Sequence, residues 1–426
     1  MKIAIAGYGI EGASNYRYYA ADPTNEIVIV DQRQPDAALP AEIATIIGDD
    51  AFSQLNGFDL VVRTAGLAPY KIKTDGKIWS ATNEFFAKCP APIIGVTGSK
   101  GKGTVASLIA GILKAAGKKV WLVGNIGVAA LDVLDSVSSD DIVVYELSSF
   151  QLWDIERSPH TAVVLFIEQE HLDVHLDMDD YLNAKSNITR YQTAEDILIY
   201  NQSNQFARAI ADQSTAQKFG YVDSQSAHVQ GGSFWYGEQI ICSIKSLQII
   251  GSHNIENACA PINAVWALTQ DSAAIEQGLK SFQGLPHRLK FVRELDEVAY
   301  YDDSIATTPG AAIAALRAFD QPKVIILGGS SKGSNFTKLG QELAQQNVKA
   351  ILVGEEAEKI AHACQAVGFS DYEILENATA SQFVERARAV ATPGGVVLLS
   401  PACASFGMFK NYSNRGDQFI AAVEAL

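Results

Sequence analysis

The sequence predicts an α/β protein of three consecutive units, each built on a parallel sheet. Apolar runs of strand length alternate with helical stretches along most of the chain. Two of those runs enter glycine-rich turns that open helices, one at 7–12 and one at 95–104. At about 150 residues per domain, 426 residues leave room for two or three cores.

The elements follow in order. Residues 2–6 read as a buried strand, 26–31 as a second and 59–63 as a later one. Cys89-Pro90-Ala91-Pro92 punctuates the chain, so a first domain is expected at 1–90. A new strand at 93–97 leads through the second glycine turn into a helix over 104–116, with strands at 119–123, 142–146 and 162–166. Residues 214–250 look β-rich and less regular, and helices at 254–268 and 273–282 complete a domain expected at 91–284. Beyond Gly284-Leu285-Pro286 the alternation resumes, with strands at 299–302, 323–327, 350–353 and 396–399, in a third domain at 285–426.

Composition narrows the functions. Hydrophobic residues at 48% and charged residues at 19% exclude wholesale disorder. The net charge of −15 argues against a protein that holds nucleic acid, which needs a basic surface. Cys89, Cys242, Cys259, Cys364 and Cys403 are scattered and never form a CxxC pair, as suits reduced thiols with no zinc or disulfide framework. Met1 leads directly into a strand, and no apolar run reaches the roughly 18 residues of a membrane span, so a cytoplasmic protein is expected.

The strongest motif is Gly98-Ser99-Lys100-Gly101-Lys102-Gly103-Thr104, placed after a buried strand and opening a helix. Glycines let backbone N–H groups converge on phosphate oxygens, and the helix N-terminus adds positive potential. Lys102 would reach the outer phosphates, and the next hydroxyl would serve Mg²⁺. Gly103 stands where Ser or Thr usually follows the lysine, which leaves Thr104 as the nearest hydroxyl. The amino-terminal turn matches the dinucleotide fingerprint, with Asp31 ending the next strand. Alone it suggests an NAD-dependent oxidoreductase, a reading that leaves the Lys102 loop unexplained.

Further motifs occur in one order with the phosphate loop. They are Glu146-Leu147-Ser148-Ser149-Phe150-Gln151-Leu152, Glu170-His171-Leu172-Asp173, Asn183-Ala184-Lys185, His253-Asn254-Ile255-Glu256-Asn257, Leu285-Pro286-His287-Arg288 and Ser400-Pro401-Ala402-Cys403-Ala404-Ser405. Together, from Gly7 to about Gly416, the chain closely resembles the Mur ligases. The resemblance implies a Rossmann-like amino-terminal domain, a central P-loop ATPase domain and a Rossmann-like carboxy-terminal domain. It also implies ATP-dependent amide formation through an acyl phosphate. Within the family the match is to the activity that adds glutamate to UDP-N-acetylmuramoyl-L-alanine in peptidoglycan precursor synthesis. Folylpolyglutamate synthase shares the loop, but the amino-terminal domain disfavours it. A catalytically silent nucleotide-binding scaffold is a third alternative.

By the same resemblance, Lys102, Asn125, Glu146, His171 and Lys185 surround the reacting groups. Thr104, Glu146, His171 and Lys185 organise Mg²⁺, Lys185 as a carbamate. Burial favours the neutral amine that captures CO₂. ATP is met by the phosphate loop and Asn257, and by Arg288 and Asp303 from the third domain, whose separate origin implies closure before chemistry. Gly9, Ile10, Glu11, Gly12, Asp31, Arg33 and Gly66 take the UDP end of the substrate. Thr307, Lys332, Ser405 and Tyr412 take the amino acid, with Ile305 standing where many members carry lysine and Tyr412 where phenylalanine is frequent. His175, four residues past His171, reads as structural. A monomer acting on small molecules is expected, with neither nucleic acid nor membrane as partner.

Overall fold

The computed structural model describes every residue except Asp36, Ala37, Ala41, Leu172, Asp173, Ile250 and Lys332, and only the backbone of Ser252 and His253. The chain divides into two compact units, Met1–Gln248 with Ser252–Phe282, and Ile249–Gly251 with Gln283–Leu426.

The first unit begins with β1 (Lys2–Ala6), α1 (Ile10–Ala20), β2 (Glu26–Asp31), β3 (Ala44–Ile47), β4 (Leu60–Arg63), β5 (Lys77–Ser80) and α2 (Ala81–Lys88). Its five strands form a parallel sheet in the order β3-β2-β1-β4-β5. Central β1 is covered on both faces, so Ile3, Ala4, Ile5 and Ala6 are all fully buried and the strand is apolar after its exposed first residue, Lys2. Edge strand β3 is mostly exposed, and β5 begins with an exposed Lys77. Neither shows a clean alternation, so sequence periodicity misses both.

The same unit continues with β6 (Ile93–Thr97), α3 (Lys102–Ala115), β7 (Val120–Gly124), α4 (Ala130–Val133), β8 (Ile142–Glu146), α5 (Ser149–Leu152), β9 (Thr161–Val164) and α6 (Met178–Arg190). Then come β10 (Ile197–Asn201), α7 (Gln205–Gln213) and β11 (Gln217–Tyr221). These six strands make a second parallel sheet, β11-β10-β9-β6-β8-β7. The β-rich stretch expected at 214–250 therefore splits. Its first strand, β11, extends the parallel sheet, and only β12 (Ala227–Gln230), β13 (Ser233–Tyr236) and β14 (Gln239–Ser243) form an antiparallel meander. Helices α8 (Ser252–Val265) and α9 (Ser272–Ser281) close the unit. α9 packs so tightly on α3 that a Cβ at Gly278 would lie 2.4 Å from Ile112 Cα.

The second unit holds β15 (Lys290–Leu295), β16 (Val298–Asp302), α10 (Pro309–Arg317), β17 (Lys323–Gly328), α11 (Thr337–Gln345) and β18 (Val348–Val353). It ends with α12 (Ala357–Gln365), β19 (Tyr372–Leu375), α13 (Ala380–Val390), β20 (Val396–Leu399) and α14 (Tyr412–Glu424). The sheet order is β15-β16-β20-β17-β18-β19, with β15 antiparallel and the rest parallel. Because β20 inserts between β16 and β17, the loops after all three open at neighbouring carboxyl ends, where open α/β sheets place ligands. Strand β15 goes unnoticed in the sequence because its hairpin turns on Asp296-Glu297, both at positive φ, instead of on a glycine pair.

Candidate active site

The second glycine turn joins buried β6 to α3. Gly101 has φ +88°, a conformation costly for any residue with a Cβ, and a Cβ there would lie 3.0 Å from Asn257 Nδ2. The structure thus brings Asn257, on α8, against the loop. A Cβ on Gly98 would lie 2.7 Å from Leu165 Cβ, so this turn also needs glycine where it crosses the end of β9.

Two lysine amines converge on one carbonyl. Lys102 Nζ donates to Gly98 O at 2.9 Å and Ser99 O at 3.0 Å, and Lys185 Nζ donates to Gly98 O at 2.7 Å. Lys185 comes from α6, is 1% exposed, and lies 4.7 Å from the centre of the Tyr181 ring. Burial, and then the Lys102 charge, hold its amine well below the ordinary lysine range, against the opposing pull of Glu170 and Glu146. Ser99 is fixed as well: its Oγ donates to Glu168 O at 2.9 Å and lies 2.7 Å from the Tyr181 hydroxyl. Lys100 points outward, its amine 2.9 Å from Glu170 Oε1. Burial raises the Glu170 carboxyl, but the Lys100 hydrogen bond and the nearby charges of Lys100, Lys102 and His171 outweigh it and leave the group below its ordinary value. Gly103 and Thr104 are buried in the first turn of α3.

Glu146 ends β8 and is 3% exposed. Asn125 sits beside it. Its backbone N donates to Glu146 O at 3.2 Å, and its Nδ2 lies 3.4 Å from Glu146 Oε1. Gly124 makes this approach possible, since a Cβ there would fall 2.3 Å from Glu146 O. The Ser148-Ser149-Phe150-Gln151 segment has a structural task that its motif does not reveal. Ser148 and Gln151 form a capping box on α5, a device worth about 1 kcal/mol. Ser149 Oγ lies 2.9 Å from His175 Nε2, and Asp180 Oδ2 lies 2.8 Å from His175 Nδ1, so His175 is a buried brace. His171 differs. It has φ +59°, is half-exposed, and its ring centre stands 5.0 Å from that of Phe150.

At the first glycine turn, Gly7 has φ +92° and a Cβ on Gly12 would fall 2.1 Å from Gly7 O. Asp31 Oδ2 accepts from Tyr8 N at 2.8 Å, and Glu11 Oε2 accepts from Ala65 N at 2.7 Å. Both carboxylates therefore bind their own backbone. Ile10 is 88% exposed at the start of α1, and Gly9, Arg33 and Gly66 are exposed.

In the second unit, Arg288 is exposed and its charge acts on Asp303. Burial pushes the Asp303 carboxyl up to about 7 even though Ser400 Oγ donates to it at 2.7 Å and Leu289 N at 3.1 Å. Thr307 is half-buried, Ser405 buried and Tyr412 partly exposed at the start of α14. Lys332, expected in the amino-acid pocket, lies outside the described residues, as do Leu172 and Asp173 of the His171 motif and the side chain of His253.

Sequence reasoning passes over two arginines. Arg415 is 2% exposed and donates to Ser304 O at 2.7 Å, Ser304 Oγ at 2.9 Å, and Cys403 O and Ala404 O at 3.2 Å each. It ties the segment before Thr307 to the segment ending in Ser405. Arg63, at the end of β4, is fully buried and bonded to Asp154. A lone arginine in a sequence reads as a solvated charge, and only its burial distinguishes it.

Residues 96–265 match the Mur ligase middle domain, and residues 287–403 match the Mur ligase, glutamate ligase domain. The UDP-N-acetylmuramoylalanine--D-glutamate ligase of Clostridium tetani is 36% identical over 397 residues, covering 89% of this chain and 86% of its own length. The chain belongs to the Mur ligase family. A second relative of this Mur ligase, the enzyme of the same name from Acetivibrio thermocellus, is 34% identical over 100% of this chain and 96% of its own. In fold, the UDP-N-acetylmuramate-alanine ligase of Thermotoga maritima superposes with a TM-score of 0.62 at 16% identity, covering 100% and 99% of the two chains. The folylpolyglutamate synthase of Thermotoga maritima gives 0.57 at 15% identity over 76% of this Mur ligase and 90% of itself. Among the described residues, no helix is long and apolar enough to cross a membrane.

Proposed function

We propose that this Mur ligase joins D-glutamate to UDP-N-acetylmuramoyl-L-alanine at the expense of ATP, in the cytoplasmic assembly of peptidoglycan precursors. The observation that carries the reading is the meeting of Lys102 and Lys185 on Gly98 O, with the charges of Glu146 and Glu170 acting on the same amine. A substrate carboxylate attacks the γ-phosphate, ADP leaves, and an acyl phosphate forms. The amine of glutamate then attacks that carbonyl, phosphate leaves, and the amide is complete. Joining a carboxylate to a triphosphate brings anions together, so fixed cations must screen them and hold the line of attack. Lys102 supplies one such cation on the phosphate loop, and Gly98 to Thr104 supply backbone donors at the start of α3. Asn125, beside Glu146, has an amide to offer an oxygen of either reactant.

Magnesium fits the donors this chain presents. Thr104 and Glu146 would offer hard oxygen donors, and magnesium at nucleotide sites characteristically takes one or two carboxylates together with phosphate oxygens and water. Thr104, Glu146, His171 and Lys185 are proposed to hold it, Lys185 after carbamylation; bound there, it would neutralise charge on the phosphates. The buried, neutral-leaning amine of Lys185 is the form that adds CO₂. Asn257, Arg288 and Asp303 are assigned to the nucleotide. Gly9 and Ile10, exposed at the start of α1, are assigned with Glu11, Gly12, Asp31, Arg33 and Gly66 to the UDP end. Thr307, Lys332, Ser405 and Tyr412 are assigned to glutamate. In this scheme residues 1–90, 91–284 and 285–426 are three working parts, and the enzyme acts as a monomer.

The test is a panel of ATP, UDP-N-acetylmuramoyl-L-alanine and single D- and L-amino acids, with products read by mass. Phosphate release requiring all three substrates and a product heavier by one D-glutamyl residue is the expected result. Release with neither acceptor nor amino acid would defeat the ligase reading, and a product from L-glutamate alone would correct the handedness.

A further inference from the structure

Arg63 takes no part in the chemistry above, yet it is a fully buried charge with every N–H direction in use. Nε donates to Asp154 Oδ2 at 2.7 Å, and Nη2 donates to Asp154 Oδ1 and, at 3.0 Å, to Phe150 O. Nη1 donates to Leu67 O at 3.2 Å and Thr64 O at 3.4 Å. Glu11 holds the same loop as well, through Ala65 N. Residues 64–67 are therefore clamped, their carbonyls by a guanidinium and an amide by a carboxylate. Exposed Gly66 sits at the tip of that clamp.

The other hand of Arg63 reaches the segment that follows β8. Phe150, whose carbonyl it binds, lies four residues after Glu146, and its ring stacks on His175 with centres 5.3 Å apart. Asp154 is itself fixed, because Asn83 Nδ2 donates to its carbonyl at 2.9 Å. Two well-packed apolar side chains would fill this space with no desolvation cost, so stability alone does not call for a buried ion pair. What a guanidinium adds is direction: a rigid planar fork that fixes five acceptor oxygens on four residues at once, which the point charge of lysine cannot do.

We propose that Arg63, held by Asp154 and joined on the same loop by Glu11, is a positioning residue for the sugar-nucleotide substrate. It locks the loop carrying Gly66 to the segment carrying Phe150, so that a long anionic ligand spanning both meets them at a fixed separation. This inference rests on the ligase reading given above. It deepens that reading by assigning substrate registration to a residue that touches no substrate.

The experiment uses the full-length enzyme with Arg63→Ala, Arg63→Lys and Asp154→Asn, measuring kcat and KM separately for each of the three substrates. For Arg63→Ala, KM for UDP-N-acetylmuramoyl-L-alanine should rise about tenfold, while KM for ATP and for glutamate stay within about twofold. Arg63→Lys keeps the charge and loses the fork, so it should restore only part of the loss. Should Arg63→Ala fail to fold, Asp154→Asn, which keeps the shape and one acceptor oxygen, should show the same split on a smaller scale. Parallel increases in all three KM values, a fall in kcat alone, or an unchanged sugar-nucleotide KM would each overturn the proposal. The unaltered enzyme is assayed first. Absence of product there defeats the ligase reading and this inference with it, whereas normal turnover with unselective variants defeats only the role of Arg63.

Discussion

Two glycine turns in one compact unit share a backbone plan and differ in the charges around them. After β1, Gly7 to Gly12 lead into α1, and the carboxyl groups of Asp31 and Glu11 accept from the backbone N–H groups of Tyr8 and Ala65. After β6, Gly98 to Gly101 lead into α3, and Lys102 and Lys185 both face the loop carbonyls. The backbone geometry of each turn suits phosphate oxygens, and the second has two lysine amines on its carbonyls, cations of the kind that the proposed reaction of a triphosphate calls for. A fingerprint of glycines thus reports a strand-to-helix turn and close packing. The side chains that converge from distant parts of the chain decide what the turn is for.

The contrast can be broken most forcefully at the second turn. Lys102→Ala should cut turnover about a thousandfold with the fold intact by circular dichroism, since it removes one preorganised charge. A near-normal rate would erase the difference between the turns. Lys185→Ala should lower turnover about a hundredfold, and a small carboxylate such as acetate should return part of it by filling the carbamate's place. An unimpaired variant, with no carbamate signal from isotope-labelled bicarbonate in the parent enzyme, would retire that role.

At the first turn the effects should be gentler. Gly12→Ala forces a methyl onto Gly7 O and should destabilise the protein by about 2 kcal/mol in a denaturant melt while raising the sugar-nucleotide KM more than that for ATP. Equal changes in both KM values would mean that the turns do not divide the substrates. The smallest effect concerns Glu11, whose carboxyl burial raises, against the hydrogen bond from Ala65 and the charge of Arg63. A carboxyl raised on folding holds its proton longer in the folded state than in the unfolded one. Its contribution to stability is complete below the ordinary carboxyl range and is lost as pH rises through its own elevated value. Compared with Glu11→Gln, the parent protein should therefore lose relative stability as acid is neutralised, seen as converging melting curves. A gap that widens with pH would reverse the sign.

Much of the layout was legible early because buried strands announce themselves. β1, β6, β8 and β20 carry apolar residues at nearly every position, and the glycine turns after β1 and β6 are forced by contacts a Cβ would violate. The edge strands β3, β5, β15 and β19 were not visible, because a strand with one neighbour and a wet face has no strict pattern to show. Within the candidate site, Lys102 stood out through its motif. Lys185 carried no local sign of its burial, and Arg63 and Arg415 carried none of theirs.

By itself, then, the sequence determined the order of the main apolar strands, the two glycine turns with the helices they open, and the residue types able to handle phosphate. These follow from short-range rules, the period of apolar residues and the backbone freedom of glycine. Only the tertiary structure decided which charges are desolvated and which lie together. It set Lys185 under the phosphate loop, Asn257 against Gly101, and Arg63 between loop 64–67 and Phe150. The reason is that burial and charge proximity are properties of chain segments far apart in sequence, created when the sheets and helices pack and not before.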